Sequence, residues 1–202
     1  MKKKTKDVPT PLEPAVHGPN DLSDRLEFDE LNRGVIRIDD SIDEYNTTDY
    51  MRKIAYIVNK GIKNIKFFIT SPGGSAYHAL ALYDRLISLK NVGVKTEAYV
   101  EGWAASAASM IVLQAMNKRY ATANSRFLIH EPRRWTFMAR ERVSDMQDET
   151  KEMVALSDIV NSIMAKRCKK SSKDIDRVVS RKEVWMSARE AKAFGLIDGI
   201  VQ

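Results

Sequence analysis

One cysteine, Cys168, stands in the whole 202-residue chain. That excludes an internal disulfide framework and a cysteine-rich zinc site, and no metal centre is expected. A reducing, cytoplasm-like compartment is the matching expectation. Long apolar runs are missing too. Charges interrupt every stretch well short of the ~20 residues a bilayer crossing needs, so no membrane span is expected. The opening Met1-Lys2-Lys3-Lys4 leads into polar, proline-bearing sequence rather than an apolar core segment, and a secretory signal is not expected. Neither G-x-x-x-x-G-K-[ST] nor G-x-G-x-x-G occurs, which leaves nucleotide binding without support and no cofactor implied. Histidine is scarce as well: His17, His78 and His130 are the only three.

The net charge is +6, but Lys2, Lys3, Lys4 and Lys6 supply four of those positives and leave +2 for the rest. A body so near neutrality offers no nucleic-acid footprint. The basic start reads as a solvated end. With 44% apolar and 30% charged residues, the chain fills a real core and stays soluble, as one domain of ordinary size.

Residues 1–24 hold Pro9, Pro11, Pro14 and Pro19 with few large apolar groups. Such a stretch cannot offset its ordering entropy, so a flexible basic arm is expected ahead of a domain at 25–202. Within that domain, Gly34 to Ile38 alternates as a strand. Asn46-Thr47-Thr48-Asp49 offers N-cap candidates before the helical face Met51, Ile54, Ala55 and Val58, with Gly61 as the stop. Ile65 to Ile69 is β-prone, and Ala79, Leu80, Tyr83, Leu86 and Ile87 recur at helical spacing. Val94 to Val100 reads as a strand, and Ala104 to Met116, apolar almost all round, as a buried helix. Strands are expected again at Tyr120 to Thr122 and Arg126 to His130. The longest helix spans Arg140 to Arg167, with Met146, Met153, Leu156, Val160, Ile163 and Met164 as its stripe. Ser187-Ala188-Arg189-Glu190 is a capping box opening a last short helix that Gly195 ends. This alternation argues an α/β domain with mainly parallel strands.

Three features carry chemical interest. Ser71-Pro72-Gly73-Gly74 lies between a strand and a helix, where paired glycines either make a tight turn or aim backbone N–H groups into a cleft. Gly102-Trp103-Ala104-Ala105-Ser106-Ala107-Ala108-Ser109 sets serines among small residues at a helix start. The serine is there either an N-cap or a nucleophile whose oxyanion the helix terminus favours. His130 closes an apolar run, as a structural residue or as a base. His17 falls in the arm, and His78 in a helix, where a surface or packing role is expected. Cys168 ends a helix between Arg167 and Lys169, whose charge favours a lowered thiol pKa, although a bystander role fits better.

Taken in order, Phe68-Ile69-Thr70-Ser71-Pro72-Gly73-Gly74 through Tyr83-Asp84, Gly102-x-Ala-Ala-Ser106, Asn124 through His130-x-Pro132, and Met186-Ser187-Ala188-x-Glu190 through Gly195-Leu196-Ile197-Asp198 resemble the proteolytic subunit family of the Clp protease. The likeness covers about residues 30–202. It implies a crotonase-like ββα superhelix with a long handle helix, and a serine endopeptidase hydrolysing unfolded polypeptide through an acyl-enzyme. It implies Ser106 as nucleophile, His130 as general base, and Gly74 and Ala107 as donors of the oxyanion-hole N–H groups. Stacked heptameric rings of this chain and a separate ring ATPase are implied with it. The alternative is a catalytically degenerate ring subunit with a scaffolding role.

The chain departs from the family pattern at four places. Glu183 stands where the family's acid is usually Asp. Ser109 doubles the serine motif, which resembles the phage- and prophage-type branch; Ser106 is preferred because its pentapeptide matches without gaps. Glu131-Pro132-Arg133-Arg134-Trp135-Thr136-Phe137 lacks the glycines usual in the family's substrate-lining strand, so bulky groups there are expected either to narrow the cleft or to change side-chain preference. About two extra residues precede Gly102.

Overall fold

The computed structural model describes residues 22–133 and 143–202. Most of the expected arm lies outside the described residues, and its last three residues open the first helix. The chain runs through α1 (Leu22–Asn32), β1 (Val35–Ile38), α2 (Glu44–Asn59), β2 (Asn64–Ser71), α3 (Ala76–Ser88) and β3 (Lys95–Ala105). After two short turns of irregular helix come β4 (Lys118–Thr122) and β5 (Arg126–His130). The remainder is α4 (Val143–Cys168), α5 (Ser172–Val179), β6 (Glu183–Ser187), α6 (Ala188–Phe194) and β7 (Gly199–Val201).

The sheet has seven strands, with β1-β2-β3-β4-β7 in parallel order. The far end of β3 turns to pair with β5, and β5 pairs antiparallel with β6. This is the α/β single domain expected. Alternation decides which side of the sheet is core: Ile36, Ile38, Ile65, Phe67, Ile69, Ala98 and Val100 are buried, while Arg37, Phe68, Tyr99 and Tyr120 form a row on the other face.

Helices close over the buried face by the same logic. In α2, Tyr50, Ile54 and Ile57 are buried at spacings of four and three, one stripe of a helix. Its N-cap is Asp43, whose side chain accepts the Asn46 N–H at 2.8 Å. The helix thus starts before the expected Asn46–Asp49 caps, because a carboxylate three residues ahead of Asn46 already satisfies a free N–H. The α6 capping box is as expected, Ser187 and Glu190 exchanging bonds, with Gly195 left-handed at the other end.

The helix expected at 104–116 is corrected. β3 continues through Ala105, since Ala104 and Ala105 pair with Phe127 and Leu128. Only then does a single π-helical turn, Ala108–Val112, and a 3-10 turn, Leu113–Ala115, follow. The extra residues before Gly102 are absorbed in β3, where pairing with β2 slips by two between Ile69↔Val100 and Ser71↔Ala104. In α4, Leu156, Val160 and Met164 are buried, but Met146 is exposed and leaves the stripe. Residues 140–142 of that expected helix lie outside the described residues. Among the described residues no helix is long and apolar enough to cross a membrane.

Candidate active site

Two strand ends and one turn meet at the C-terminal edge of the sheet. Ser106 follows β3 in the left-handed region, at φ 53°. For a residue with a side chain that conformation is strained, and such strain gathers at functional sites. It persists here because the Ser106 N–H donates to the Leu128 carbonyl at 2.9 Å. The Ser71–Gly74 turn packs directly on the same spot. A Cβ on Gly73 would come within 2.8 Å of the Ser106 Cβ and 2.9 Å of the Ala107 nitrogen, so only glycine allows this approach.

Gly74 is fixed from its other side. The Ile42 N–H donates to Gly73 and the Ile42 carbonyl accepts from Ser75, both at 2.7 Å. In a parallel bridge of this kind the N–H and carbonyl of Gly74 itself point away from Ile42. Ala107 opens the helical turn after Ser106, where N–H groups have no acceptor within the helix. Gly74 and Ala107 line one cavity together with Ser106 and His130.

His130 ends β5, with its Nε2 2.8 Å from the Ser106 Oγ. Its Nδ1 lies 2.5 Å from the Glu131 carbonyl oxygen. A carbonyl only accepts, so Nδ1 carries the proton and Nε2 is left to accept from the serine hydroxyl. That is the tautomer a general base needs. The Ser109 hydroxyl, fully buried, donates to the Leu128 carbonyl at 2.6 Å. Ser109 is therefore a tie beneath the turn, and Ser106 is the serine at the cavity.

Glu183 begins β6 directly opposite His130 in the antiparallel ladder. Its carboxylate is taken by Arg133, whose Nη1 donates to Oε1 at 2.8 Å. The structure thus brings Ser106, His130, Gly74 and Ala107 together and sets Glu183 beside them, with its charge turned to arginine. The engagement of Glu183 by Arg133 is what sequence reasoning missed. The trace it left was a cation three places past His130 where the family pattern has small residues. The rest of the expected bulky segment, 134–137, lies outside the described residues.

The cavity measures about 870 Å³. Met110, Ile111, Leu128, Met153, Leu156 and Val160 form an apolar wall, and Glu149 and Glu152 reach it from α4. The Tyr77 hydroxyl donates to Glu152 at 2.9 Å, a bond that raises the phenol's pKa. Chemically, this is a hydroxyl paired with imidazole at the edge of an apolar pocket with backbone donors close by. Acyl transfer uses those parts.

The family model described as Clp protease matches residues 24–202. The chain belongs to the Clp protease family. Among curated relatives, the ATP-dependent Clp protease proteolytic subunit 1 of Protochlamydia amoebophila is 30% identical over 91% of this chain and 87% of its own length. The ATP-dependent Clp protease proteolytic subunit of Bacteroides thetaiotaomicron is 32% identical over 90% of this chain and 78% of its own. The subunit of that name from Cyanophora paradoxa is 28% identical, covering 90% and 93%. The resemblance in the sequence is thereby shown, and with it the Clp protease fold.

Two side chains singled out earlier stand apart from the site. Cys168 is buried against Gly195, and desolvation pushes its thiol up, so the lowered value that neighbouring charges favour does not arise. His78 is half-buried in α3, its Nδ1 without a hydrogen-bond partner among the described residues.

Proposed function

We propose that this chain is a serine endopeptidase, the peptide-cleaving component of an ATP-dependent Clp protease. Ser106 attacks the scissile carbonyl while His130 takes its proton and later passes it to the leaving amine. The Gly74 and Ala107 N–H groups hold the oxyanion, and Glu183 serves as the triad acid. The observation that carries this reading is the 2.8 Å Ser106–His130 contact at the rim of the 870 Å³ cavity. A hydroxyl is a poor nucleophile until imidazole accepts its proton, and this pair is already in register for that step.

Membership of the family supports stacked heptameric rings that enclose the sites, in a cytoplasm-like compartment. The names of the relatives supply the ATP dependence. With no phosphate loop in this chain, ATP is hydrolysed by a separate ring ATPase that unfolds and delivers polypeptide. A second reading, a scaffolding ring subunit without activity, draws on the Arg133–Glu183 pair that diverts the acid from His130.

One experiment separates the two. The assembled protein is treated with a serine-reactive fluorophosphonate and assayed on a short fluorogenic peptide. Labelling and cleavage, both lost in Ser106→Ala, are expected. Neither labelling nor cleavage from intact rings would favour the scaffold.

A further inference from the structure

We propose that Arg133 is a positioning residue that holds Glu183 off His130, and that exchange of Glu183 between the two sets the strength of His130 as a base. The inference rests on the serine-peptidase reading and adds a control element to it.

His130 and Glu183 are directly opposed in an antiparallel ladder. Side chains so opposed share a face, with Cβ atoms about 4.5–5.5 Å apart, within reach of a glutamate and an imidazole. Proximity does not explain why they are unbonded. Competition does. Arg133 follows Pro132 out of β5 and donates to the Glu183 carboxylate at 2.8 Å, while His130 Nδ1 settles for the Glu131 carbonyl. The Glu131 side chain meanwhile accepts from the Arg181 N–H at 3.1 Å and pins the chain leading into β6. The backbone is therefore held, so Glu183 turns and the His130 Nδ1–H passes from the Glu131 carbonyl to the Glu183 carboxylate as its hydrogen-bond acceptor.

The two arrangements differ in chemistry. With Glu183 on Arg133, the imidazolium formed during attack faces a neutral carbonyl dipole. With Glu183 on Nδ1, it faces a full carboxylate, which stabilises its charge. The pair is readily exchanged, because Arg133 and Glu183 side chains are 56% and 47% exposed and such pairs are weak. The other titratable groups around the cavity are Tyr77 on α3 and Glu149 and Glu152 on α4. Glu152 is engaged by Tyr77.

The test compares wild type, Arg133→Gln, Arg133→Lys, Glu183→Gln and the Arg133→Gln/Glu183→Gln pair as full-length assembled protein. Two quantities are followed against pH: the rate of fluorophosphonate labelling and kcat/KM on a short fluorogenic peptide. Arg133→Gln should raise both roughly two- to five-fold, the range open to an exposed ion pair. Its acidic limb should move to higher pH, since a freed carboxylate favours imidazolium. Arg133→Lys should fall between wild type and the glutamine variant. In the Glu183→Gln background the Arg133 substitution should change neither rate nor limb, which separates the exchange from the mere loss of a nearby cation. An equal gain in that background, or no gain in Arg133→Gln itself, overturns the proposal while the serine-peptidase reading stands. A wild-type protein that neither labels nor cleaves overturns that reading and this inference with it.

Discussion

A serine hydroxyl serves as nucleophile only where a base reaches its proton and a substrate reaches its oxygen. Ser106 has the base at 2.8 Å and the cavity in front of it, whereas the Ser109 hydroxyl is sealed and spent on a carbonyl. On the proposed reading, Ser106→Ala abolishes peptide hydrolysis and leaves folding unchanged. Ser109→Ala should retain activity and cost about 1 kcal/mol, because one hydrogen bond is lost. The Leu128 carbonyl is not orphaned by that change, since the Ser106 N–H still donates to it. Peptide turnover and urea denaturation of the two variants check both statements, and activity lost only in the Ser109 variant would reverse the assignment.

At the scale of elements, the site is a junction held by close backbone approach. Gly73→Ala tests it: the added Cβ would sit 2.8 Å from the Ser106 Cβ, at a φ of +88°. Overlap and backbone strain together should cost about 2 kcal/mol or more and displace Ser106, so thermal stability and labelling rate fall together. A second junction ties β4 to β7. The Arg119 side chain, 5% exposed, donates to Asp198 from Nη2 at 2.5 Å, and the Asp198 N–H returns a bond to the Arg119 carbonyl. Burial pushes the Asp198 carboxyl up, but the Arg119 bonds and charge outweigh it and hold it below the ordinary carboxylate range. The folded-state pKa is thus depressed. The stabilisation is present above the unfolded value near ~4 and is lost as pH falls through the folded one. Asp198→Asn should destabilise the protein by about 1–3 kcal/mol at neutral pH and flatten its loss of stability in acid, read from denaturation midpoints.

Which elements were legible follows from how local their causes are. The strand at 35–38, the helix after Gly74 and the capped α6 rest on alternation, helical spacing and turn chemistry within a few residues, and the sequence carries all of that. The Ala104–Met116 misreading came from composition. A run of small apolar residues suits a strand, a turn or a helix, and pairing with β5 decided it. The His130–Glu183 opposition depends on β5 meeting β6 across more than fifty residues, which no local pattern encodes. For the same reason Arg133 reads from sequence only as one bulky group of the segment after His130, and its bond to Glu183 comes from the fold.

At the scale of the whole molecule, the proposed assembly draws on α4. Its 26 residues span about 39 Å. One stripe, Leu156, Val160 and Met164, is buried against its own domain, yet Met146, Val154 and Ile159 remain exposed on the same helix. A helix that needed only to cover its own core would carry polar groups at those places. Apolar side chains left outward, an adaptable methionine among them, suit a contact between subunits, and on the family reading that contact joins ring to ring. Val154→Lys puts a charge into it. An exposed substitution should leave the fold within about 0.5 kcal/mol of wild type. Sedimentation velocity should then show the largest species of the wild type replaced by a smaller one, with far-UV circular dichroism unchanged. A wild-type protein that stays monomeric across micromolar concentrations would remove the ring itself. An unaltered large species in Val154→Lys would move the contact off α4, because a buried, unpaired lysine costs too much for an apolar interface to accept silently.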